Sequence, residues 1–444
     1  MKIIDIFVKL LSRIKNNEIA SKFFNNTSWL VGDKIFTMII GVFVTALITR
    51  YLGPENYGLF NYALSFVTLF TALSTLGLET ITIKSIIDKE EKEGTILYTS
   101  LVLRVIGGIF LTLMASVVIR FVTPNDSLLH MLVLIMSFTM VFKSLEVIEY
   151  WIQAYQKSKI SSLIRMGVYI SSSLFKIAFV LLNGNLVHLA LIYMTDALIV
   201  GIALIVAYFK KRTSYSKWNF NVNYAKGVLS KSWYMIITGL MITLYMQIDK
   251  IMLGSMLPNK EELGLYSAAT QISSMWYFIP MAIITSFKPV IMSKKKNDDN
   301  SYLKSVQLSY SIVAWLGIAF GIFILLFSNI IIDILFGADY SQASNILTVS
   351  VWAGTFALLG SARGTWLICE GLQKYSIMYT GFGAIVNIML NWVLIPVYGG
   401  FGAAVATLVA QVSVSIIAPA FMRETRVSSI MILKSFKMEG VIKR

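Results

Sequence analysis

The first half of the sequence contains the segment Leu52-Gly53-Pro54-Glu55-Asn56-Tyr57-Gly58-Leu59-Phe60-Asn61-Tyr62-Ala63. A shorter version returns later as Leu253-Gly254, then Pro258, then Glu261-Glu262-Leu263-Gly264-Leu265-Tyr266-Ser267-Ala268. The matching glycines, Gly58 and Gly264, are 206 positions apart, so each half of the 444-residue chain carries one copy. Internal repeats at this spacing are typical of carriers that work by alternating access. The repeat therefore predicts a duplicated membrane transporter.

The composition independently favours a membrane protein. Hydrophobic residues make up 57% of the chain and charged residues only 14%, and the mean hydropathy is +0.72. A soluble protein of this length needs more polar surface than that. The net charge of +15 would suggest nucleic acid binding in a soluble protein, but the cations here lie between apolar runs. We therefore expect lipid, and no nucleic acid, around this chain.

Twelve apolar runs are long enough to cross about 30 Å of hydrocarbon, which takes roughly 20 residues each. They are predicted at about 27–50, 57–79, 97–122, 128–149, 160–183, 187–208, 228–253, 264–291, 309–336, 344–369, 375–397 and 399–421. If the chain starts inside, 26 of its 38 lysines and arginines fall in cytoplasmic segments and one, Lys260, falls in an outer loop. The positive-inside rule then places both termini in the cytoplasm.

The predicted fold class is an all-α membrane protein with two pseudo-symmetric six-helix lobes. Its predicted parts are a cytoplasmic N-terminal segment 1–26, an N-terminal lobe 27–208, a basic cytoplasmic linker 209–227, a C-terminal lobe 228–421 and a basic cytoplasmic tail 422–444. The start of the chain is basic and amphipathic without a small-residue cleavage site, which predicts a retained tail. The outer loops have about ten residues or fewer, too few for an extracytoplasmic catalytic domain.

Several cations fall inside predicted spans, where ionisable side chains are costly and tend to face water-filled cavities or each other. In the fifth span, Arg165 and Lys176 share one helix face about 16 Å apart. Snorkelling to the headgroups is the alternative for Arg165 and Arg104, and pairing with Asp196 is the alternative for Lys176. A local ion pair with Glu146 is the alternative for Lys143. The candidates for holding an anionic substrate group are Arg104, Lys143, Arg165, Lys176 and Lys34.

Other polar residues inside spans are candidates for binding sugars and a coupling ion. Sugars need hydroxyl and amide partners, and the candidates for that contact are Tyr169, Thr238, Tyr245, Asn387 and Asn391. The ion-coupling candidates are Asp196 and Asp249, with a proton or a sodium ion as the coupling ion. An interfacial belt around Asp249 and interhelical hydrogen bonds of the two asparagines are the structural alternatives.

Signals of classical chemistry are weak in this sequence. His130 and His188 lie at helix ends without other residues at metal-ligand spacing, so no metal site is expected. The motif G-x-x-x-x-G-K-[ST] is absent, so an ATP-driven motor in the same chain is not expected. We expect a transporter without catalytic residues or a cofactor, driven by an ion gradient, by its substrate gradient or by a partner.

Three motifs carry a resemblance to a known family. They are Arg50-Tyr51-Leu52-Gly53-Pro54-Glu55-Asn56-Tyr57-Gly58, the stretch from Gln247-Ile248-Asp249-Lys250 to Gly264-Leu265-Tyr266-Ser267-Ala268-Ala269, and Asn391-Trp392-Val393-Leu394-Ile395-Pro396 with Gly399 and Gly402-Ala403-Ala404. In this order, over residues 27–421, they resemble the oligosaccharide flippases of O-antigen and capsule repeat units, in the multidrug/oligosaccharidyl-lipid/polysaccharide exporter superfamily.

The resemblance implies a V-shaped pair of lobes with a cationic lumen, in the plasma membrane of a bacterium. It implies a substrate, an undecaprenyl-pyrophosphate-linked oligosaccharide repeat unit that is flipped from the cytoplasmic to the outer leaflet. Its implied partners are membrane lipids, a polysaccharide polymerase and a chain-length regulator. The chief alternative is a multidrug cation antiporter of the same superfamily, which would favour buried carboxylates. A sugar-chain polymerase is the alternative outside transport, and the short outer loops count against it.

Overall fold

The computed structural model describes residues 18–212, 216–295 and 299–437, and helices dominate these residues. The ends of the predicted tails, residues 1–17 and 438–444, lie outside the described residues. The helices are α1 (Glu18–Ser74), α2 (Leu78–Asp88), α3 (Glu93–Val122), α4 (Ser127–Phe142), α5 (Val147–Ala154), α6 (Ser158–Leu181), α7 (Leu186–Lys211), α8 (Val222–Met256), α9 (Glu261–Met275), α10 (Phe278–Lys295), α11 (Asp299–Leu335), α12 (Ala343–Cys369), α13 (Lys374–Val412), α14 (Ala418–Phe421) and α15 (Arg426–Ser435).

Ten helical segments of the described residues are long and apolar enough to cross a membrane, so the chain is a multi-pass membrane protein. Two of them, of 57 and 48 residues, are far longer than one crossing needs. Both contain a break at a glycine: α1 at Gly53, with φ 71° and ψ 168°, and α13 at Gly399, with φ 54° and ψ −133°. Glycine reaches such positive φ angles without steric cost. The prediction of a helical membrane fold is confirmed, and the count of twelve depends on these two breaks.

The helices form two compact units. The first contains the described residues up to Ile48 together with Phe66–Thr243, and its core includes Trp151 and Tyr208. The second contains Thr49–Ser65 together with the residues from Leu244 onward, and its core includes Tyr302, Tyr310 and Trp366. Residues 49–65, which include the first copy of the repeat, thus lie with the second half of the chain. The predicted lobes 27–208 and 228–421 stay a prediction.

The two copies of the repeat contact each other within the second unit. A Cβ atom on Gly58 would lie 1.9 Å from the carbonyl oxygen of Lys260, and one on Gly264 would lie 1.9 Å from the carbonyl oxygen of Pro54. Each glycine therefore packs on the carbonyl four residues before the other glycine. This reciprocity is that of a two-fold contact, in which the same patch is used twice. The sequence repeat is thus a local two-fold packing motif.

Arg50 attaches the first copy of the repeat to the rest of the second unit. Its Nε donates to the carbonyl oxygen of Leu335 at 3.0 Å, and its Nη2 donates to that of Asp333 at 3.0 Å. These carbonyls belong to the last turn of α11, where a helix lacks internal partners and favours a cation. Arg50, at the start of the first motif, is therefore a cap for a distant helix.

Candidate functional site

Arg165 in the first unit lies between two carboxylates. Its Nη2 is 3.4 Å from Oε2 of Glu149 and 3.9 Å from Oε2 of Glu146. A 3₁₀ turn, Lys143–Glu146, separates α4 from α5, so the α-helical spacing assumed for Lys143 and Glu146 does not apply there. Among the described residues, Lys143 has no carboxylate within 4.0 Å. The ion pair with Glu146, which was the structural alternative for Lys143, is therefore not formed, because Glu146 faces Arg165 instead, and the anion-binding role of Lys143 stays a prediction.

Lys176 and Asp196 form the ion pair that was the structural alternative for Lys176. Lys176 Nζ lies 3.4 Å from Oδ2 of Asp196, and Ser172 Oγ donates to the same oxygen at 2.6 Å. The ring of Tyr169 lies 6.0 Å from Lys176 Nζ. Both charged side chains are partly exposed, at 19% and 26%. Both cations predicted in the fifth span, Arg165 and Lys176, therefore lie beside carboxylates.

Arg104 is the most deeply buried cation of the first unit among its predicted site residues, at 4% exposure. Its Nη1 donates to the hydroxyl of Tyr150 at 3.0 Å, and its guanidinium lies over the Tyr150 ring. Its Nε has no hydrogen-bond partner, and no carboxylate lies within 4.0 Å in the described part of the chain. Burying a charge with so little compensation is costly. A snorkelling arginine would be exposed, so Arg104 remains a candidate for binding an anion.

Three other predicted residues lie apart from these pairs. Lys34 on α1 is exposed. Thr238 on α8 uses its hydroxyl within its own helix, where it donates to the carbonyl of Tyr234 at 2.9 Å. Tyr245, in the second unit, has a buried hydroxyl without a hydrogen-bond partner among the described residues. Their roles in binding stay predictions.

Asp249 is the centre of a polar cluster in the second unit. It is buried at 7% exposure. Its Oδ1 accepts a hydrogen bond from Nδ2 of Asn391 at 2.7 Å, and its Oδ2 accepts one from the hydroxyl of Tyr266 and one from that of Thr407, both at 2.7 Å. The donors come from α9 and from both sides of the Gly399 break in α13. Three charge-assisted bonds from neutral donors thus hold the carboxylate, and the neighbouring Lys250 interacts with it electrostatically without an ion pair within 4.0 Å in the described part of the chain.

Asn387 and Asn391 belong to this cluster. They are exposed at 1% and 0%, and Nδ2 of Asn391 also donates to Oδ1 of Asn387 at 3.1 Å. Both amides are buried in this arrangement, and their predicted contact with sugars stays a prediction. Interhelical hydrogen bonding, the structural alternative for the two asparagines, is present, because Asn391 bonds to Asp249 on another helix.

The Asp249 cluster has the composition of a small-cation site. Oxygen atoms from Asp249, Asn387, Asn391, Tyr266 and Thr407 lie together, and Oδ1 of Asn391 is buried without a partner among the described residues. Carboxylate, amide and hydroxyl oxygens suit a hard cation, and the carboxylate alone suits a proton. Sequence reasoning missed Tyr266 and Thr407, although Tyr266 lies inside the repeat.

Sequence reasoning also missed Arg363, which is buried at 2% in the second unit. Its Nη1 and Nη2 donate to the carbonyls of Ser415 and Val414, each at 2.8 Å. These carbonyls lie in or beside a π-helical turn, Ser413–Ile417, where the regular helical bonding pattern is interrupted. Arg363 therefore stabilises an irregular turn, and its only sequence signal was a lone arginine inside an apolar span.

Two protein families match the sequence. Residues 23–295 match the polysaccharide biosynthesis protein family, and residues 235–393 match the MatE family. CapF, a capsular polysaccharide biosynthesis protein of Staphylococcus aureus, is 24% identical over 396 residues, which cover 87% of this chain and 96% of CapF. Agl15, a probable low-salt glycan biosynthesis flippase of Haloferax volcanii, is 24% identical over 52% of this chain and 48% of Agl15.

Solved structures share the fold. The lipid II flippase MurJ, in an inward closed conformation, superposes with a TM-score of 0.73 at 17% identity, covering 91% of this chain and 90% of MurJ. An inward-facing multidrug resistance transporter of the MATE family superposes with a TM-score of 0.72 at 14% identity, covering 91% and 96%. The family match covers more than half of the chain. This protein therefore belongs to the polysaccharide biosynthesis protein family of the superfamily that its three motifs predicted.

Proposed function

We propose that this chain is a flippase that moves an undecaprenyl-pyrophosphate-linked oligosaccharide repeat unit from the cytoplasmic to the outer leaflet of a bacterial plasma membrane, for surface polysaccharide assembly. The observation that carries the proposal is the family match over residues 23–295. The names of CapF and Agl15, a capsular polysaccharide biosynthesis protein and a probable flippase, support it. A polysaccharide polymerase and a chain-length regulator are the partners that this pathway step implies.

We further propose a topology of twelve spans in two six-helix lobes, with both termini in the cytoplasm. The breaks at Gly53 and Gly399 support this count, because each divides a segment of roughly two membrane lengths into two crossings. The excess of lysine and arginine on one side supports the orientation. Alternating access is the mechanism we expect for such a duplicated carrier.

The pyrophosphate of the substrate would be held by cations of the first unit. Arg104 has a phenol but no carboxylate beside it, so an anion would compensate its charge. Ser172 competes with Lys176 for the carboxylate of Asp196. The hydrogen bond from Ser172 is short, at 2.6 Å, whereas the ion pair of Lys176 is long, at 3.4 Å. Lys176 is thus the looser partner of Asp196. Arg165, whose Nη2 lies 3.4 Å from Oε2 of Glu149, would likewise leave this carboxylate and bind a phosphate oxygen.

Ion coupling is best assigned to Asp249. Asp196, the other candidate, already forms an ion pair with Lys176, whereas the hydrogen-bond donors to Asp249 are all neutral among the described residues. The neighbouring Lys250 interacts with Asp249 electrostatically but forms no ion pair with it within 4.0 Å. A proton or a sodium ion would compensate its charge without displacing a basic side chain. The carboxylate of Asp249, the amide oxygens of Asn387 and Asn391 and the hydroxyl of Thr407 would hold the ion, which would supply the driving force when its gradient is coupled to lobe movement.

The test uses a strain that lacks this protein. We expect a lipid-linked oligosaccharide to accumulate on the cytoplasmic leaflet and the wild-type chain to clear it. Arg104→Ala is expected to leave it there, because the buried cation is lost, whereas Arg120→Ala, which removes an exposed cation of the same helix, clears it. Clearance by Arg104→Ala at the wild-type rate would contradict the anion site, and absence of any accumulated lipid would contradict the flippase assignment.

A second experiment tests the ion site in proteoliposomes. Asp249→Asn keeps the shape of the side chain but removes its charge, so we expect transport to lose its dependence on the imposed proton or sodium gradient. Gradient dependence that survives in Asp249→Asn would place the coupling ion elsewhere. The antiporter alternative draws on the MatE match over residues 235–393, which includes Asp249. Drug efflux by the wild-type chain, without clearance of the lipid-linked oligosaccharide, would favour it.

A further inference from the structure

The helix α15 (Arg426–Ser435) turns apolar side chains outward although its inward face is partly polar, formed by three serines together with Met431 and Ile432. Three serines point into the second unit, Ser428, Ser429 and Ser435, each at most 1% exposed. The apolar residues of the opposite face point outward: Val427 is 50% exposed, Ile430 45% and Leu433 51%. Their spacing of three places them along one side of the helix.

Side-chain hydrogen bonds fix this orientation. The hydroxyl of Ser428 lies 3.0 Å from that of Tyr310 on α11, and Ser429 Oγ donates to the carbonyl of Ile416 at 3.0 Å. Gln307, also on α11, donates from Nε2 to the carbonyl of Met431 at 3.0 Å. Turning the apolar face inward would break all of these hydrogen bonds and would form no polar contacts in their place. The helix is therefore held in place by these hydrogen bonds, and its apolar face points outward because the opposite face makes them.

The outward face also carries cations. Arg426 and Lys434 are exposed on the same side as the three apolar residues, and the exposed Arg423 and Lys437 flank the helix. The last candidate span ends at Phe421, which is itself 85% exposed, so α15 starts where the chain leaves the membrane. Apolar and basic side chains on one face, at the end of a span, match the boundary between acyl chains and anionic headgroups.

We propose that α15 is an interfacial helix that lies in the leaflet where the last span ends and binds its anionic lipids. Val427, Ile430 and Leu433 would enter the acyl region, while Arg426 and Lys434 would contact phosphate groups. A protein partner is the other conceivable occupant of an apolar face, but cations interleaved with apolar side chains complement anionic lipid. This role is separate from substrate transport and holds whichever substrate the protein carries.

Depth of insertion is the first test. The single cysteine, Cys369, is replaced by serine, and Ile430→Cys is labelled with an environment-sensitive fluorophore in the full-length protein in lipid nanodiscs. We expect a blue-shifted emission that lipids carrying a shallow quencher suppress. The control is Glu91→Cys, an exposed connector residue of the first unit, which we expect to show no such quenching. Equal emission and quenching at both positions would overturn the proposal.

Charge recognition is the second test. Each lysine or arginine near an anionic surface contributes about 1 kcal/mol, roughly fivefold in binding. Arg426→Gln with Lys434→Gln should therefore weaken binding of short-chain phosphatidylglycerol to the solubilised protein by roughly 25-fold, read from the fluorophore at position 430. Lys89→Gln with Lys92→Gln removes the same charge from an exposed connector of the first unit and should leave that binding unchanged.

Two results would overturn the inference at this second stage. One is an equal loss of lipid binding in both double variants, which would mean that net charge and not this helix attracts the lipid. The other is a fluorophore at position 430 that stays in water in nanodiscs but becomes protected in native membranes. That pattern would assign the apolar face to a protein partner.

Discussion

The reciprocal contact of Gly58 and Gly264 allows a quantitative test of the two-fold packing motif. In Gly58→Ala the new methyl group would lie 1.9 Å from a backbone carbonyl oxygen, about 1.5 Å short of an ordinary contact. The carbonyl of Lys260, the N-cap residue of α9, accepts a hydrogen bond from the backbone N–H of Gly264 at 3.0 Å, so it cannot rotate away without breaking that bond and the helices must separate. Overpacking of this kind costs about 1–3 kcal/mol. Alanine regains at most about 1 kcal/mol through its higher helix propensity.

The net expectation is a loss in the free energy of unfolding of about 0–2 kcal/mol relative to the wild-type chain, and of about 1–3 kcal/mol relative to a helical alanine that meets no neighbour, the latter roughly 5- to 150-fold in the folding equilibrium. Thermal unfolding of the purified protein in one detergent measures it. Gly360→Ala is the matched control, because Gly360 lies in the middle of α12 in the same unit and a Cβ there meets no atom within 4 Å. We expect the control to melt at or above the wild-type temperature.

The two glycines should not behave as independent sites. Once Gly58→Ala has separated the helices, part of the room for a methyl group at position 264 already exists. The double variant should therefore lose less stability than the two single variants together, a coupling of the kind that contacting residues show. A Gly58→Ala variant as stable as Gly360→Ala, or strictly additive losses in the double variant, would contradict the two-fold contact.

Three further predictions concern charge and topology. Lys176→Met with Asp196→Asn should melt higher than either single variant, because each single change leaves one charge unpaired; a double variant no more stable than both singles would contradict the pair. Reporters fused after Arg212 and after Asn259 should read cytoplasmic and external respectively, and the opposite result would refute the proposed orientation. Arg165→Lys keeps a charge but loses the bidentate fork, so partial clearance of the lipid-linked oligosaccharide is expected, and full clearance would exclude a bidentate phosphate contact.

Much of the fold could be predicted from the sequence because apolar length directly sets the position of a membrane helix. The predicted runs 160–183 and 187–208 correspond to helices at Ser158–Leu181 and Leu186–Lys211. The break between the first two runs also appears, at Gly53, since a glycine-proline pair interrupts helical bonding. Hydropathy cannot show which helices touch, so the contact between the two copies of the repeat was visible only in the structure.

The candidate sites were less predictable, because helical spacing defines a face but not its partners. Arg165 was predicted to be one of several inward cations, yet two acids on another segment lie beside it. Asn387 and Asn391 were correctly placed on one face, but the hydrogen bond from Asn391 to Asp249 joins residues 142 positions apart. Tyr266 and Thr407 are common residue types in spans, and only their convergence on one carboxylate distinguishes them.

Charge is compensated differently in the two units, and this bears on how ligands would act. The buried cation Arg104 has only a phenol beside it in the first unit, and the buried anion Asp249 has only neutral donors in the second. A buried charge without an ion pair is costly until a ligand of opposite sign binds, and a ligand shifts an equilibrium only by its differential affinity. An anionic substrate would therefore stabilise the first unit, and a cation would stabilise the second. Stabilisation by the anion should vanish in Arg104→Ala alone, and stabilisation by the cation should vanish in Asp249→Asn alone.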